Sequence, residues 1–118
     1  MVERFWVMSL VYVKDSLRKV SEKVLEFRLV NHVASGSGYV GGKVLLDGED
    51  VTDKSTMKIG TQDARQVKRD MFVTSYYGDQ VLFTISSDEP IKRSLHKIKV
   101  VCDVETLGSY TAELEGTI

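Results

Sequence analysis

The sequence has little cysteine, proline or histidine, and its charges nearly cancel. Cys102 is the single cysteine, which excludes an intrachain disulfide and a multi-cysteine zinc site. With 16 basic and 17 acidic residues, the chain has no overall field to attract nucleic acid or an anionic membrane. A single proline beside 42% apolar residues argues against a disordered chain. We expect one folded domain over residues 1–118.

Long apolar runs are also lacking. The longest candidate runs from Phe5 to Val13, whereas a membrane-spanning helix needs about 20 apolar residues. The acidic Glu3 precedes this run, and no small-residue cleavage site follows it, so it does not have the pattern of a secretory signal. The sequence therefore predicts a first β-strand here, no membrane span and a cytoplasmic protein.

A period of two residues dominates the rest of the chain. Leu25, Phe27 and Leu29 alternate with the charged Glu26 and Arg28. The same alternation returns in three later stretches: residues 66–73, 96–104 and 110–115. Apolar side chains on one side and polar ones on the other are typical of half-buried antiparallel strands. The Asp47-Gly48 dipeptide suits a tight hairpin between two strands.

These patterns predict an all-β protein, an immunoglobulin-like antiparallel β-sandwich of about seven to eight strands, with a small barrel as the alternative. Two segments are predicted to lie outside the strands. Residues 16–20 suit one helical turn, and the glycine-rich stretch Asn31 to Gly42 suits a flexible inter-strand loop, although glycine also marks bulges and close backbone approach.

The order of features resembles the CARDB-type immunoglobulin-like adhesion modules of archaea and bacteria. The residues that carry the resemblance are Leu29-Val30-Asn31, the hairpin Val44-Leu45-Leu46-Asp47-Gly48, the turn Gly60-Thr61-Gln62-Asp63-Ala64 and the late strand around Ile98 to Asp103. The resemblance implies a non-catalytic interaction module and assigns no binding residue.

Residues for catalysis or metal binding are scarce. His32 and His96 are far apart in sequence, and His96 is expected to lie at a solvated basic strand end. Cys102 lies six residues from His96 on one predicted strand, about 20 Å away, which is too far for the histidine to activate the thiol. Cys102 is therefore predicted to be a buried structural thiol. We expect no enzyme activity, no metal and no cofactor.

Acidic residues cluster at and just after the predicted hairpin turn. Its members are Asp47, Glu49, Asp50 and Asp53. Oxygen ligands at alternate positions suit calcium, but the full spacing of a calcium loop is missing. A charged hairpin tip is the favoured interpretation.

Aromatic residues are the best candidates for partner contact, because Tyr and Trp give large contact area at a small entropy cost. The candidates are Trp6, Tyr39, Tyr76 and Tyr77. For Trp6, a place in the core is an equally good interpretation.

A basic patch is the second candidate surface. Its predicted members are Arg65, Lys68, Arg69, Arg93 and Lys97, with Lys92 and Lys99 nearby. With the tyrosines it would suit single-stranded nucleic acid, but Asp63, Asp70 and Asp79 interleave and weaken its field. A solvated face is favoured, and nucleic acid is not expected as a partner.

The sequence thus predicts a non-catalytic protein-interaction or assembly module. Its partner would be another protein or a second copy, in a homodimer paired through an edge strand. The alternative is a ligand-binding β domain for single-stranded nucleic acid or carbohydrate.

Overall fold

Strands make up 63% of the structure. The computed structural model describes residues 9–118. Its strands are β1 (Ser9–Tyr12), β2 (Arg18–Ser21), β3 (Val24–His32), β4 (Gly36–Leu46), β5 (Glu49–Asp50), β6 (Ser55–Ile59), β7 (Arg65–Gln66), β8 (Met71–Ser75), β9 (Gln80–Ser86), β10 (Leu95–Val104) and β11 (Gly108–Thr117), and a short 3₁₀ turn spans Thr52–Lys54.

The strands form two antiparallel sheets. The first sheet has the order β1-β3-β9-β6-β7, with β2 also paired to β3. The second has the order β11-β10-β4-β5, with β8 also paired to β4. This division matches the immunoglobulin arrangement, in which strands A, B, E and D face strands C, F and G. Here β1, β3, β9 and β6 stand in the places of A, B, E and D, and β4, β10 and β11 in those of C, F and G. The predicted immunoglobulin-like sandwich is confirmed, with a short excursion through β7 and β8 added to it.

The core lies between the sheets and follows the two-residue alternation. Leu25, Phe27 and Leu29 of β3 are fully buried, and the ring of Phe27 stacks on that of Phe83 at 5.2 Å. From the second sheet, Val44 and Ile98 reach the same core. Burial of apolar surface stabilises a fold by about 25 cal/mol per Å². This interior is what holds the two sheets together.

The prediction of a loop at the glycine-rich stretch was wrong, because residues from Gly36 onward belong to strand β4. Its glycines serve close approach instead. A Cβ on Gly41 would lie 2.6 Å from the carbonyl oxygen of Arg69, and the N–H of Gly42 donates to the carbonyl of Lys68 at 2.8 Å. Glycine is needed because the segment from Val67 to Asp70 runs directly against the edge of β4.

The single strand predicted over residues 66–73 was also wrong. Arg65–Gln66 pairs with β6 in the first sheet, whereas Met71–Ser75 pairs with β4 in the second, so the chain changes sheets between them. Val67, at 1% exposure, is buried along with Met71 and Val73. Residues 68–70 at the crossing are all exposed, but Val67, Met71 and Val73 share one parity, so the sequence pattern did not reveal the change of sheet.

The helical turn predicted over residues 16–20 is replaced by strand β2, which pairs with β3. Its Arg18 side chain forms an ion pair with Glu26 on that neighbour. The hairpin prediction is confirmed: Asp47 and Gly48 both adopt positive φ, at 51° and 85°. Two residues with positive φ give the tight turn whose twist matches the flanking strands.

Candidate protein-contact face

Two exposed aromatic side chains are in contact on the outer side of the second sheet, and a third follows just beyond the end of β8. Tyr39 of β4 and Phe72 of β8 are direct cross-strand neighbours, and their rings meet edge to face at 5.2 Å. Tyr76 follows β8 in the same alternating phase as Phe72. The exposed fractions of these side chains are 54% for Tyr39, 56% for Phe72 and 60% for Tyr76. We call Tyr39, Phe72 and Tyr76 the aromatic face.

Hydroxyl groups connect the strands under the aromatic face. The side chains of Ser37 and Thr74 lie opposite each other on β4 and β8, and their oxygens are 2.7 Å apart. This bond holds the two strands in register between the Tyr39–Phe72 pair and Tyr76. The aromatic face is thus carried on a sheet whose geometry is fixed before any partner arrives.

Asn31 fixes the end of this sheet from below. Its side chain is buried at 7% exposure, and its amide donates to the Ala34 carbonyl, the Ser75 hydroxyl and the Tyr76 carbonyl at 2.9–3.2 Å. Its oxygen accepts from the N–H of Val33 at 2.8 Å and of Ala34 at 3.3 Å. The Asn31 side chain therefore ties the β3–β4 connection to the end of β8 and fixes the position of the Tyr76 backbone.

Tyr77 lies at the adjacent end of the sandwich. Its ring stacks on His32 at 5.1 Å with an interplanar angle of 15°. Its N–H donates to the Ser35 hydroxyl at 2.8 Å. Of the four predicted contact residues, Tyr39 and Tyr76 therefore share a face, Tyr77 borders it, and Trp6 lies outside the described residues.

Opposite charges flank the aromatic face on its two sides. On the β8 side, Arg65 donates to the carbonyl of Phe72 at 2.8 Å, and the backbone of Arg69 lies over the outer side of Gly41. On the β10 side, Asp103 pairs with Gly41, and the N–H of Glu105 donates to the carbonyl of Tyr39 at 3.1 Å. We call Arg65, Lys68 and Arg69 the basic margin, and Asp103 and Glu105 the acidic margin.

The other two residues of the predicted basic patch lie far from this margin. Lys97 is near the opposite end of β10, where its N–H donates to Asp47 at 2.8 Å. Val104, which pairs with Val40 beside Tyr39, is seven positions further along β10. Lys97 is therefore about 23 Å of strand away from Tyr39. Arg93 precedes β10 at the same distant end. The sheet therefore divides the predicted patch into two groups.

The edge of β8 is covered by side chains. Its outward carbonyls at Phe72 and Thr74 accept hydrogen bonds from Arg65 and Gln62, the latter at 2.7 Å. A strand edge whose polar groups are already satisfied is a poor template for pairing with another chain. The geometry therefore favours contact through the face of this sheet over contact through the β8 edge.

His96 is buried, which corrects the prediction of a solvated strand end. Its exposed fraction is 7%, its Nδ1 lies 2.6 Å from Asp47 and its Nε2 lies 2.7 Å from the carbonyl of Lys92. Burial lowers the pKa of His96, but its two hydrogen bonds and the charge of Asp47 outweigh this, and the net pKa is raised. His96 thus joins the β4–β5 hairpin to the connection before β10.

Cys102 is the remaining candidate for chemistry that the sequence raised. Cys102 faces inward, and burial first, then the charge of Asp103, raises the pKa of its thiol to about 11. Such a thiol is a poor nucleophile. Among residues 9–118 no three histidine, cysteine or acidic side chains are grouped as metal ligands would be, and no helix is long and apolar enough to cross a membrane.

Comparison with known proteins adds a likeness of fold. No protein-family model matches the sequence, and no curated protein matches it either. The structure is similar to a conjugate transposon protein from Bacteroides vulgatus, with a TM-score of 0.55 and 8% identity over 99% of this chain and 89% of that one. This likeness shows a shared fold only.

Two further similarities are lower. A conjugative transposon lipoprotein from Bacteroides eggerthii gives a TM-score of 0.49, with 10% identity over 92% of this chain and 94% of that one. An archaellum periplasmic stator complex of FlaF and FlaG from Sulfolobus acidocaldarius gives 0.44, with 10% identity over 94% and 92% of the two chains.

Phe72 is the residue of the aromatic face that sequence reasoning missed. A signal was present, because Phe72 has the opposite phase to Val67, Met71 and Val73 in the alternation. A large apolar residue at a position predicted to face water marks a contact surface when an aromatic neighbour joins it. That neighbour, Tyr39, lay in the stretch predicted to be a loop, so the pairing was not visible.

Proposed function

We propose that this protein is a non-catalytic assembly module that pairs with a second copy of itself through the aromatic face. The carrying observation is that the rings of Tyr39 and Phe72, each more than half exposed, are in contact on adjacent strands, with the exposed Tyr76 just beyond the end of β8. Exposed aromatic clusters on a fixed surface are typical of contact sites, because burying them releases much apolar area at a small entropy cost.

The charges on either side of the face support a second copy as the occupant. Rotation by 180° about an axis parallel to β4, lying in the contact plane, places the basic margin of one copy over the acidic margin of the other. Arg69 and Asp103 are both at the level of Gly41, so the same rotation brings them opposite each other. A twofold contact repeats each such pair twice. The surface is therefore complementary to itself.

The same charges disfavour single-stranded nucleic acid. Asp103 and Glu105 are exposed directly beside Tyr39, where a phosphate backbone would have to pass. Arg93 and Lys97, which would add positive field, lie at the other end of the sheet. Membership of the CARDB-type family and a cytoplasmic location stay predictions from the sequence.

Sedimentation equilibrium of the full chain tests the proposal. We expect a concentration-dependent dimer, which the double variant Tyr39→Ala, Phe72→Ala weakens by about 2 kcal/mol or more, the size of a hot-spot loss. The matched control is Leu95→Ala, since Leu95 is 55% exposed on the same sheet but at its other end. This control should dimerise like the unmodified protein.

Two results would overturn the proposal. One is a monomer at every concentration. The other is a dimer that Leu95→Ala weakens as much as the double variant does. A gel shift with single-stranded DNA, measured over increasing salt, provides the remaining comparison, because phosphate contacts weaken steeply with salt. A salt-sensitive shift lost in the double variant would favour the nucleic-acid alternative.

A further inference from the structure

The two sheets form a largely apolar pocket of about 220 Å³, partly open to solvent, near the end of the sandwich that carries Tyr77. It lies on the inner side of β4 and extends toward the β10–β11 turn. Its walls include Leu10, Val33, Val40, Cys102, Val104 and Leu107. None of Tyr39, Phe72 and Tyr76 lines it, although Glu105 of the acidic margin lies at its wall.

Glycines on β4 explain why this space exists. Val40, Val44 and the positions of equal phase point inward, so Gly38 and Gly42 occupy positions where a core side chain would otherwise stand. At Gly42, an added Cβ would lie 2.7 Å from Val67, which fills that position. At Gly38, an added Cβ would meet no atom within 4 Å. The missing side chain at Gly38 is therefore not replaced by any neighbour.

The inner walls are mostly apolar, while Ser35, Ser37, Glu105 and Thr106 are among the lining residues that are not. The polar side chain that reaches deepest, Asn31, already has all its hydrogen bonds to the protein. Among residues 9–118 no buried side-chain nitrogen or oxygen lacks a partner. A cavity of about 150 Å³ with Leu, Ile and Phe walls stays dry and takes up benzene, and the present cavity is larger.

We propose that this cavity binds one small, uncharged, apolar molecule of about six to ten carbon atoms. The ligand enters between the β3–β4 connection and the β10–β11 turn, where Val33 and Leu107 line the opening. A carboxylate ligand is disfavoured, because its charge would lose water among apolar walls and Glu105, the one charged lining residue among those described, is itself negative. This inference does not depend on self-association, since none of the three aromatic side chains lines the cavity.

Methyl NMR of the full chain with added toluene is the direct test. We expect saturable shifts of the methyl signals of Val40, Val104 and Leu107. We also expect intermolecular nuclear Overhauser effects between the toluene ring protons and the same methyl groups. Benzoate, which has a ring of the same size but is charged, should leave those signals unchanged. Tyr39→Ala, Phe72→Ala should bind toluene like the unmodified chain, which separates this test from that of the proposed function.

The blocking variant is Gly38→Val. An added Cβ at Gly38 meets no atom within 4 Å, so we expect the variant to fold and to weaken toluene binding at least about tenfold, because a filled interior has no room for a ring. Ser86→Val is the control, since Ser86 is exposed at the end of β9 and does not line the cavity.

Three results would overturn the proposal: no saturable shift in the unmodified chain, shifts confined to residues of the aromatic face, or unchanged binding in Gly38→Val. If Gly38→Val fails to fold, the contacts between toluene and the methyls of the unmodified chain decide the matter alone.

Discussion

The two ends of the second sheet's outer side have opposite character. Near Tyr39 and Phe72, large rings stand exposed between one basic and one acidic margin. Toward the other end, lysines on β10 alternate with glutamates on β11, and Lys99 lies 3.9 Å from Glu113. Interspersed charges keep a surface wet and discourage association, whereas clustered rings favour it. One sheet thus carries exposed aromatic rings at one end and alternating charges at the other.

Each end is also held by its own set of side-chain hydrogen bonds. Asn31 holds the aromatic end through five hydrogen bonds to the neighbouring backbone and to Ser75. His96 and Asp47 hold the other end through a short hydrogen bond at 2.6 Å. The first is neutral and independent of pH, whereas the second depends on the charge of both partners. The ends can therefore be loosened separately, which the following predictions use.

The largest effect is expected for Asn31→Ala. Its loss leaves several buried backbone groups without partners, at a cost of about 3 kcal/mol in the free energy of unfolding. Hydrogen exchange should speed up around Gly36 and Ser75 but stay slow around Lys97. Asp47→Ala should show the reverse distribution with a smaller loss of stability. Equal loosening of both ends in either variant would break the comparison.

Gly41→Ala should have the next largest effect. The added Cβ would lie 2.6 Å from the backbone oxygen of Arg69, so the segment before β8 must move, and we expect a loss of about 2 kcal/mol with weaker dimerisation. Gly38→Ala is the matched control on the same strand, because its Cβ enters open space. Urea unfolding measures both. Equal stability of the two variants would show that the close approach at Gly41 carries no constraint.

A charge exchange tests the two margins with a smaller effect. Arg69→Asp and Asp103→Arg should each weaken the dimer by about 1 kcal/mol or less, since both groups are exposed, and the double variant should recover most of the loss. Sedimentation equilibrium at low salt measures the recovery. If the two losses simply add in the double variant, the margins do not face each other across a twofold axis.

The smallest effect concerns pH at the other end. The raised pKa of His96 means that its contribution is complete below the unfolded value of about 6.5 and is lost as the pH rises through the folded value. For Asp47, burial raises the pKa but the bonds from Lys97 and His96 lower it further, so its contribution is lost only as the pH falls below about 4.

His96→Gln should therefore differ most from the unmodified protein between about pH 4 and 6.5, by about 1 kcal/mol or less because Asp47 is partly exposed. Urea unfolding over a pH series measures the difference, which should shrink above that range. A difference that stays constant from acid to alkaline pH would show that His96 contributes by packing alone.

The strands with regular alternation were predictable from the sequence, because burial on one side acts on every second residue. The runs 96–104 and 110–115 correspond closely to β10 and β11. The Asp47-Gly48 turn was equally predictable, since few other residues accept positive φ at both positions.

The aromatic face was only half predictable. Tyr39 and Tyr76 were identified by residue type, but their contact with Phe72 depends on the pairing of β4 with β8, which are about thirty residues apart. The glycines of β4 allow close approach of residues that are distant in sequence, such as Val67 and Arg69. Since the sequence does not show that approach, the density of glycine indicated a loop. The burial of His96 likewise depends on Asp47, which the hairpin brings to it from another strand.

The most direct test of the contact face is a dilution series of amide and methyl NMR spectra of the full chain. The account predicts that shifts change with concentration at Tyr39, Phe72 and Tyr76 and along both margins, while signals of Lys97, Lys99 and Glu113 stay in place. Changes centred on β11 or at Lys97 and Lys99, with the aromatic face unaffected, would contradict it.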